Sequence, residues 1–161
     1  MHRVYQLVGY LTARVAPGEA DLVHRALPAT AWELFESMPV ADRRHALDVA
    51  NRLRAHGHDD GDLLAAALLH DAAKGHRLRL WHRVGGVLIG AVSARLLARM
   101  ANPDERSAGY PWHLFLHHPE LSAASAERAG CTPRTATLIR GRTDPIDAPT
   151  LAALHAADEA S

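Results

Sequence analysis

The spacing of apolar residues most limits what this chain can fold into. They recur three and four positions apart between strong helix start and stop signals, and no long stretch alternates apolar with polar. No Asn-Gly hairpin signal occurs either. Pro17 can open a helix towards Leu27, and "TAWE" at 30–33 offers a capping box of Thr30 with Glu33, starting a helix to about Met38. "ADRRHALDVANRLRAHG" predicts a helix that stops at Gly57. "DGDLLAAALLHDAAKG" predicts the next, capped by Asp60 or Asp62 and closed by Gly75. One long helix is expected over about 80–100, followed by the loop "NPDERSAGYP". "WHLFLHH" and "PELSAASAERAG" come next, then "TPRTATLIRG" capped by Thr132 with Pro133 at its first position, and "PTLAALHAADEA" opened by Pro149. The expectation is an all-α bundle of about seven to nine helices.

Length and charge narrow the function classes. The 161 residues fit one domain with a sizeable core, and 48% apolar with 22% charged residues is an ordinary soluble composition. A formal net charge of zero offers no basic surface for a nucleic-acid polymer. Cys131 is the only cysteine, so no internal disulfide is expected, and a small buried apolar role suits it. The most apolar run, "VGGVLIGAVSARLL" at 84–97, is shorter than the roughly 20 residues a bilayer demands and contains Arg95. Gly86 and Gly90 in that run suit close helix packing, in a core or in the seam of a homodimer. The first twenty residues have a weak likeness to a signal peptide, but Val4, Leu7, Val8 and Leu11 keep helical spacing with polar residues between. An amphipathic helix and a cytoplasmic, membrane-free protein are therefore expected.

Several polar residues fall on faces that should be buried. Leu151, Leu154, His155 and Asp158 lie at i, i+3, i+4 and i+7, which sets Asp158 on a core stripe. His45 shares a face with Val49; His70 follows Leu63 and Ala66; Asp71 follows Leu64, Ala67 and Leu68. Taken singly, each has an ordinary explanation. His45 would be a hydrogen-bonded core histidine, His70–Asp71 a helix end meeting solvent, and Asp158 a frayed residue. Taken together, two histidines and two aspartates from three helices need a cation, because an isolated buried carboxylate is very costly and few arginines share these faces. A divalent metal satisfies all four at once, and imidazole with carboxylate leaves manganese, iron, zinc, nickel, cobalt and magnesium all open.

"RRHALDVANRL", "AALLHDAAK" and the closing "LHAAD" resemble the HD-domain superfamily of metal-dependent phosphohydrolases. The family pattern is a histidine on one helix, a His-Asp doublet on the next and a distant aspartate; His45, His70, Asp71 and Asp158 match it in order. The resemblance covers about residues 40–160, so 41–161 would be the HD domain and 1–40 helices packed on it as one compact unit. It implies an all-helical fold, one metal held by these four residues, and hydrolysis of a phosphate ester or anhydride, often of a nucleotide. The metal would acidify a bound water and polarise a phosphoryl oxygen. Lys74, the only lysine, stands where many family members carry one; its ammonium would reach the substrate phosphate, or it is a surface lysine favoured by the dipole at a helix C-terminus.

Two departures from the family pattern bear on activity. Branches that bind a second metal use extra histidines. "FLHHPELSAASAERAG" resembles that region with His118 in place, whereas "LIRGRTDP" carries Arg142 and Thr143 where histidine tends to occur. Arg142 would then donate to a phosphate oxygen, or simply end a helix in solvent. Ala72 and Ala73 replace the acid that some nucleotidase branches place after the doublet, leaving water activation to the metal, Asp71 or His118. The main expectation is a phosphohydrolase acting on a nucleotide or small phosphorylated metabolite, with Asp71, Lys74 and His118 catalytic and Lys74 and Arg142 on the phosphate. The alternative is a degenerate HD domain that binds metal or nucleotide for regulation without turnover.

Overall fold

Proline and short polar side chains set most of the helix starts. Pro28 and Pro39 precede helices, Pro133 opens one, and Pro111 and Pro149 sit within the first two positions of two more, where a missing N–H removes nothing the helix needs. Asp60 accepts from the amides of Asp62 and Leu63, and Thr132 from that of Thr135, so both expected caps form. In the computed structural model, which describes residues 19–161 except 79, these signals delimit α1 (Ala20–Ala26), α2 (Ala29–Glu36), α3 (Val40–Ala55), α4 (Gly61–Leu69), α5 (Leu80–Val92), α6 (Ala94–Met100), α7 (Tyr110–Arg128), α8 (Pro133–Ile139) and α9 (Ala148–Glu159). Among the described residues there is no strand, and the all-α bundle is as expected. The amphipathic segment around Val4–Leu11 and the start at Pro17 lie outside the described residues.

α4 is the centre. Every residue from Leu63 to Leu69 is buried, because α1, α3, α7, α8 and α9 all pack on it. A helix apolar all round has no wet face to give it periodicity, which is how "LLAAALL" reads. One buried cluster runs from Leu22 and Val23 through α4 to Ala136 and Leu154. On one flank, α5 approaches α7 so closely that a Cβ on Gly86 would lie 2.8 Å from the Phe115 ring. Gly86 thus serves packing within the chain. Among the described residues, no helix is long and apolar enough to cross a membrane.

Four expectations change. Thr30 lies inside α2 rather than capping it, and its hydroxyl donates to the Ala129 carbonyl at 2.5 Å, tying α2 to the end of α7. α4 ends at Leu69, not Gly75. The His70 ring takes the Ala67 carbonyl, the Ala72 amide reaches only to Leu69, and the Ala73 amide leaves for Ser122 Oγ at 3.0 Å. Those partners replace helical acceptors and turn residues 70–78 into a chain of tight turns, with Gly75 at φ +51°. The long helix over 80–100 breaks at Ser93, whose Oγ caps α6 through the Leu96 amide. "WHLFLHH" and "PELSAASAERAG" form one helix, α7, with Pro119 inside it. His82 is buried against Trp81 and Trp112.

Candidate metal centre

Four elements meet at the end of α4. α3 contributes His45, the turn after α4 contributes His70, Asp71 and Lys74, α7 contributes His118, and α9 contributes Asp158. The turn is pinned from α7 by Ser122, which is wholly buried and accepts the Ala73 amide. His45 Nε2 lies 2.8 Å from Asp158 Oδ1, and His70 Nε2 lies 3.5 Å from the same oxygen. One ligand atom each from His45, His70 and Asp158 falls within 4.8 Å of the others. Asp71 is deeper, with only 3% of its side chain exposed against 43% for Asp158. Its Oδ1 faces His70 Nε2 at 3.6 Å and His118 Nε2 at 3.8 Å, while its Oδ2 accepts from Lys74 Nζ at 2.6 Å.

Backbone carbonyls orient two of the rings. His70 Nδ1 lies 2.9 Å from the Ala67 carbonyl and His118 Nδ1 lies 3.1 Å from that of Phe115. A carbonyl only accepts, so both Nδ1 atoms carry hydrogen and both Nε2 atoms point at the carboxylates. Such a backbone anchor behind the ring is the usual support of a metal-ligating histidine.

The interior of the cluster is unsatisfied. His70 Nε2 and Asp71 Oδ1 are both buried without a hydrogen-bond partner, and the distances between them and to Asp158 are too long for good hydrogen bonds. Buried polar atoms normally find partners, and an orphan pair of metal-ligand type suits a cation between them. Burial opposes charge on His70, but the Asp71 and Asp158 carboxylates overcome it and push its pKa up to about 9. Burial likewise works against ionised Asp71 and Asp158, yet the neighbouring cations hold both well below the usual carboxylate range. The His70 imidazole thus lies between two ionised carboxylates, with Lys74 on the far oxygen of Asp71 and His45 on Asp158. His118 goes the other way: burial, then Lys74, pushes its pKa down and keeps the ring neutral. The ligand atoms of His45, His70 and Asp158 lie close enough together to share a metal ion; Asp71 is outside that group, its Oδ1 facing His70 Nε2 at 3.6 Å.

A cavity of about 300 Å³ opens beside this cluster. His70, His118 and Asp158 form its polar end, Leu138, Ile139 and Leu154 its apolar wall, and Arg140 and His155 also line it. Neither a family model, nor a curated protein, nor a solved structure matches the chain. The reading of the site therefore rests on its own geometry.

The structure brings together His45, His70, Asp71, Lys74, His118 and Asp158 from the sequence-derived set. Arg142 stands apart: its side chain is 77% exposed and reaches Glu120 at 3.5 Å, and it does not line the cavity. Lys74 is turned to Asp71 rather than into the cavity. Sequence reasoning left out His155 and Arg140. His155 carried a signal, its place on the stripe with Leu154 and Asp158. Arg140 carried none; its guanidinium is paired with Glu127 at 2.8 Å.

Proposed function

We propose that this chain is an HD-type, metal-dependent phosphohydrolase acting on a small phosphate ester or anhydride, such as a nucleotide. The observation that carries the reading is the orphan pair, His70 Nε2 and Asp71 Oδ1, buried among His118 and Asp158 beside a cavity that His70, His118 and Asp158 line. A divalent ion in this donor set supplies a Lewis acid that polarises a phosphoryl oxygen and acidifies a water. His45, His70 and Asp158 would hold the ion, with Asp71 as the fourth ligand beside His70. His45 Nε2 and Asp158 Oδ1, 2.8 Å apart, would face the same ion. Lys74 fixes Asp71 through Oδ2 and leaves Oδ1 directed inward. His118, neutral with its Nε2 lone pair inward, accepts a proton from the attacking water as the new P–O bond forms. It returns that proton to the leaving oxygen as the old P–O bond breaks. The wall of Leu138, Ile139 and Leu154 excludes water from the body of the substrate.

The test combines elemental analysis after native purification with a panel of nucleoside monophosphates, dinucleotides and p-nitrophenyl phosphates, each assayed with several metals. Stoichiometric metal and turnover that vanishes in D71A are expected. Sub-stoichiometric metal with no gain on adding manganese or zinc sinks the metal reading. Turnover that survives in D71A excludes the mechanism.

One observation favours a second reading, a regulatory module that binds metal or nucleotide without turnover. The cations expected on the phosphate are engaged elsewhere, Lys74 with Asp71 and Arg142 at the surface with Glu120. That reading predicts nucleotide binding by calorimetry and no hydrolysis across the whole panel.

A further inference from the structure

Pro119 sits inside α7, immediately after His118. In an unbroken helix the amide of residue 119 would donate to the carbonyl of residue 115. Proline has no N–H, and its ring crowds that carbonyl. The Phe115 oxygen instead accepts from His118 Nδ1–H at 3.1 Å. That bond obliges Nδ1 to carry the proton, so the neutral ring keeps its lone pair on Nε2, 3.8 Å from Asp71 Oδ1. Packing holds the acceptor in place, because the Phe115 ring fills the space where Gly86 has no Cβ. His70 is set in the same way. Its Nδ1–H takes the carbonyl of Ala67, one of the last four residues of α4, whose carbonyls have no helical amide.

We propose that Pro119 is a positioning residue for His118: by withholding an amide from the Phe115 carbonyl, it reserves that oxygen for the imidazole and fixes the tautomer that presents Nε2 to Asp71 and the cavity. The catalytic meaning rests on the phosphohydrolase reading, but the geometry does not, so the test reads the ring rather than turnover. The full chain, labelled with 15N-histidine and free of added metal, is examined by long-range 1H–15N correlation at about pH 8, above the ordinary histidine pKa of about 6.5. H118Q assigns the signals. Wild-type His118 is expected to show a protonated Nδ1 and an unprotonated Nε2; the opposite tautomer in the wild type overturns the proposal.

In P119A the new amide competes for the Phe115 oxygen. The His118 signals are expected to shift to a mixture of tautomers, and the amide gained at position 119 to exchange slowly with solvent. P119S, which also restores the amide, is expected to do the same. Alanine is a far better helix former than proline, so P119A retains the helix. A single Nδ1–H tautomer that persists unchanged in both variants overturns the proposal. Absence of phosphohydrolase activity would leave the tautomer result intact, so the two readings fail separately.

Discussion

Asp71 is bound on one oxygen and orphaned on the other. Lys74 takes Oδ2 at 2.6 Å, and two imidazoles face Oδ1. The sequence suggested that Lys74 contacts substrate phosphate; the structure has it supporting a candidate metal ligand. The two roles separate in K74M. If the lysine acts through Asp71, metal affinity is expected to fall about 10–100-fold, measured by competition with a chelator, as for other partners of metal ligands. A raised KM with unchanged metal affinity would instead make it a phosphate ligand. D71N keeps the shape and removes the charge. It is expected to purify with less than stoichiometric metal and to lose at least about 100-fold in turnover, since a ligand should matter more than its outer partners.

Two helix-level features can be tested by stability alone. Asp60 caps α4 through the Asp62 and Leu63 amides and also accepts from Arg134 at 2.7 Å. D60A is expected to destabilise the fold by about 1–2 kcal/mol in urea unfolding, and D60S, which keeps a capping oxygen, to recover much of that loss. Gly86 marks the close approach of α5 and α7. A Cβ there would lie 2.8 Å from the Phe115 ring, so G86V is expected to cost about 1–3 kcal/mol by overpacking, read as a lowered urea midpoint. An unchanged midpoint would mean that the ring moves aside freely.

Across the whole molecule, one polar clamp joins the start of α4 to α8 and α9. Arg134 on α8 meets Asp60 and Asp62 at the start of α4 and Asp147 beside α9, while Thr132 and Thr135 donate to Asp62. Burial tends to raise the Asp62 pKa, but the two hydroxyls and Arg134 outweigh it and hold the carboxyl below its usual range. The native state therefore binds a proton here less readily than the unfolded chain. The stabilisation is complete above the ordinary carboxyl pKa of about 3.9 and is lost as pH falls through it towards the lower folded value. Acid unfolding followed by circular dichroism is expected to show this loss below about pH 4, with a flatter profile in D62N. A D62N profile parallel to wild type would remove Asp62 from the account.

Helix type and order were legible in the sequence, since periodicity, proline and capping side chains act over a few residues. So was the inward phase of His70 and Asp71 on buried faces, a local property, whereas His45 and Asp158 are only partly buried. Tertiary structure decided what depends on partners distant in sequence. α4 stops at Leu69 because Ser122 draws the Ala73 amide, Thr30 serves Ala129 instead of its own helix, and Arg142 points to Glu120 rather than to the cavity. A side chain's spacing sets the face it occupies. Which acceptor it meets there is set by helices that arrive from elsewhere in the chain, and sequence spacing carries no record of them.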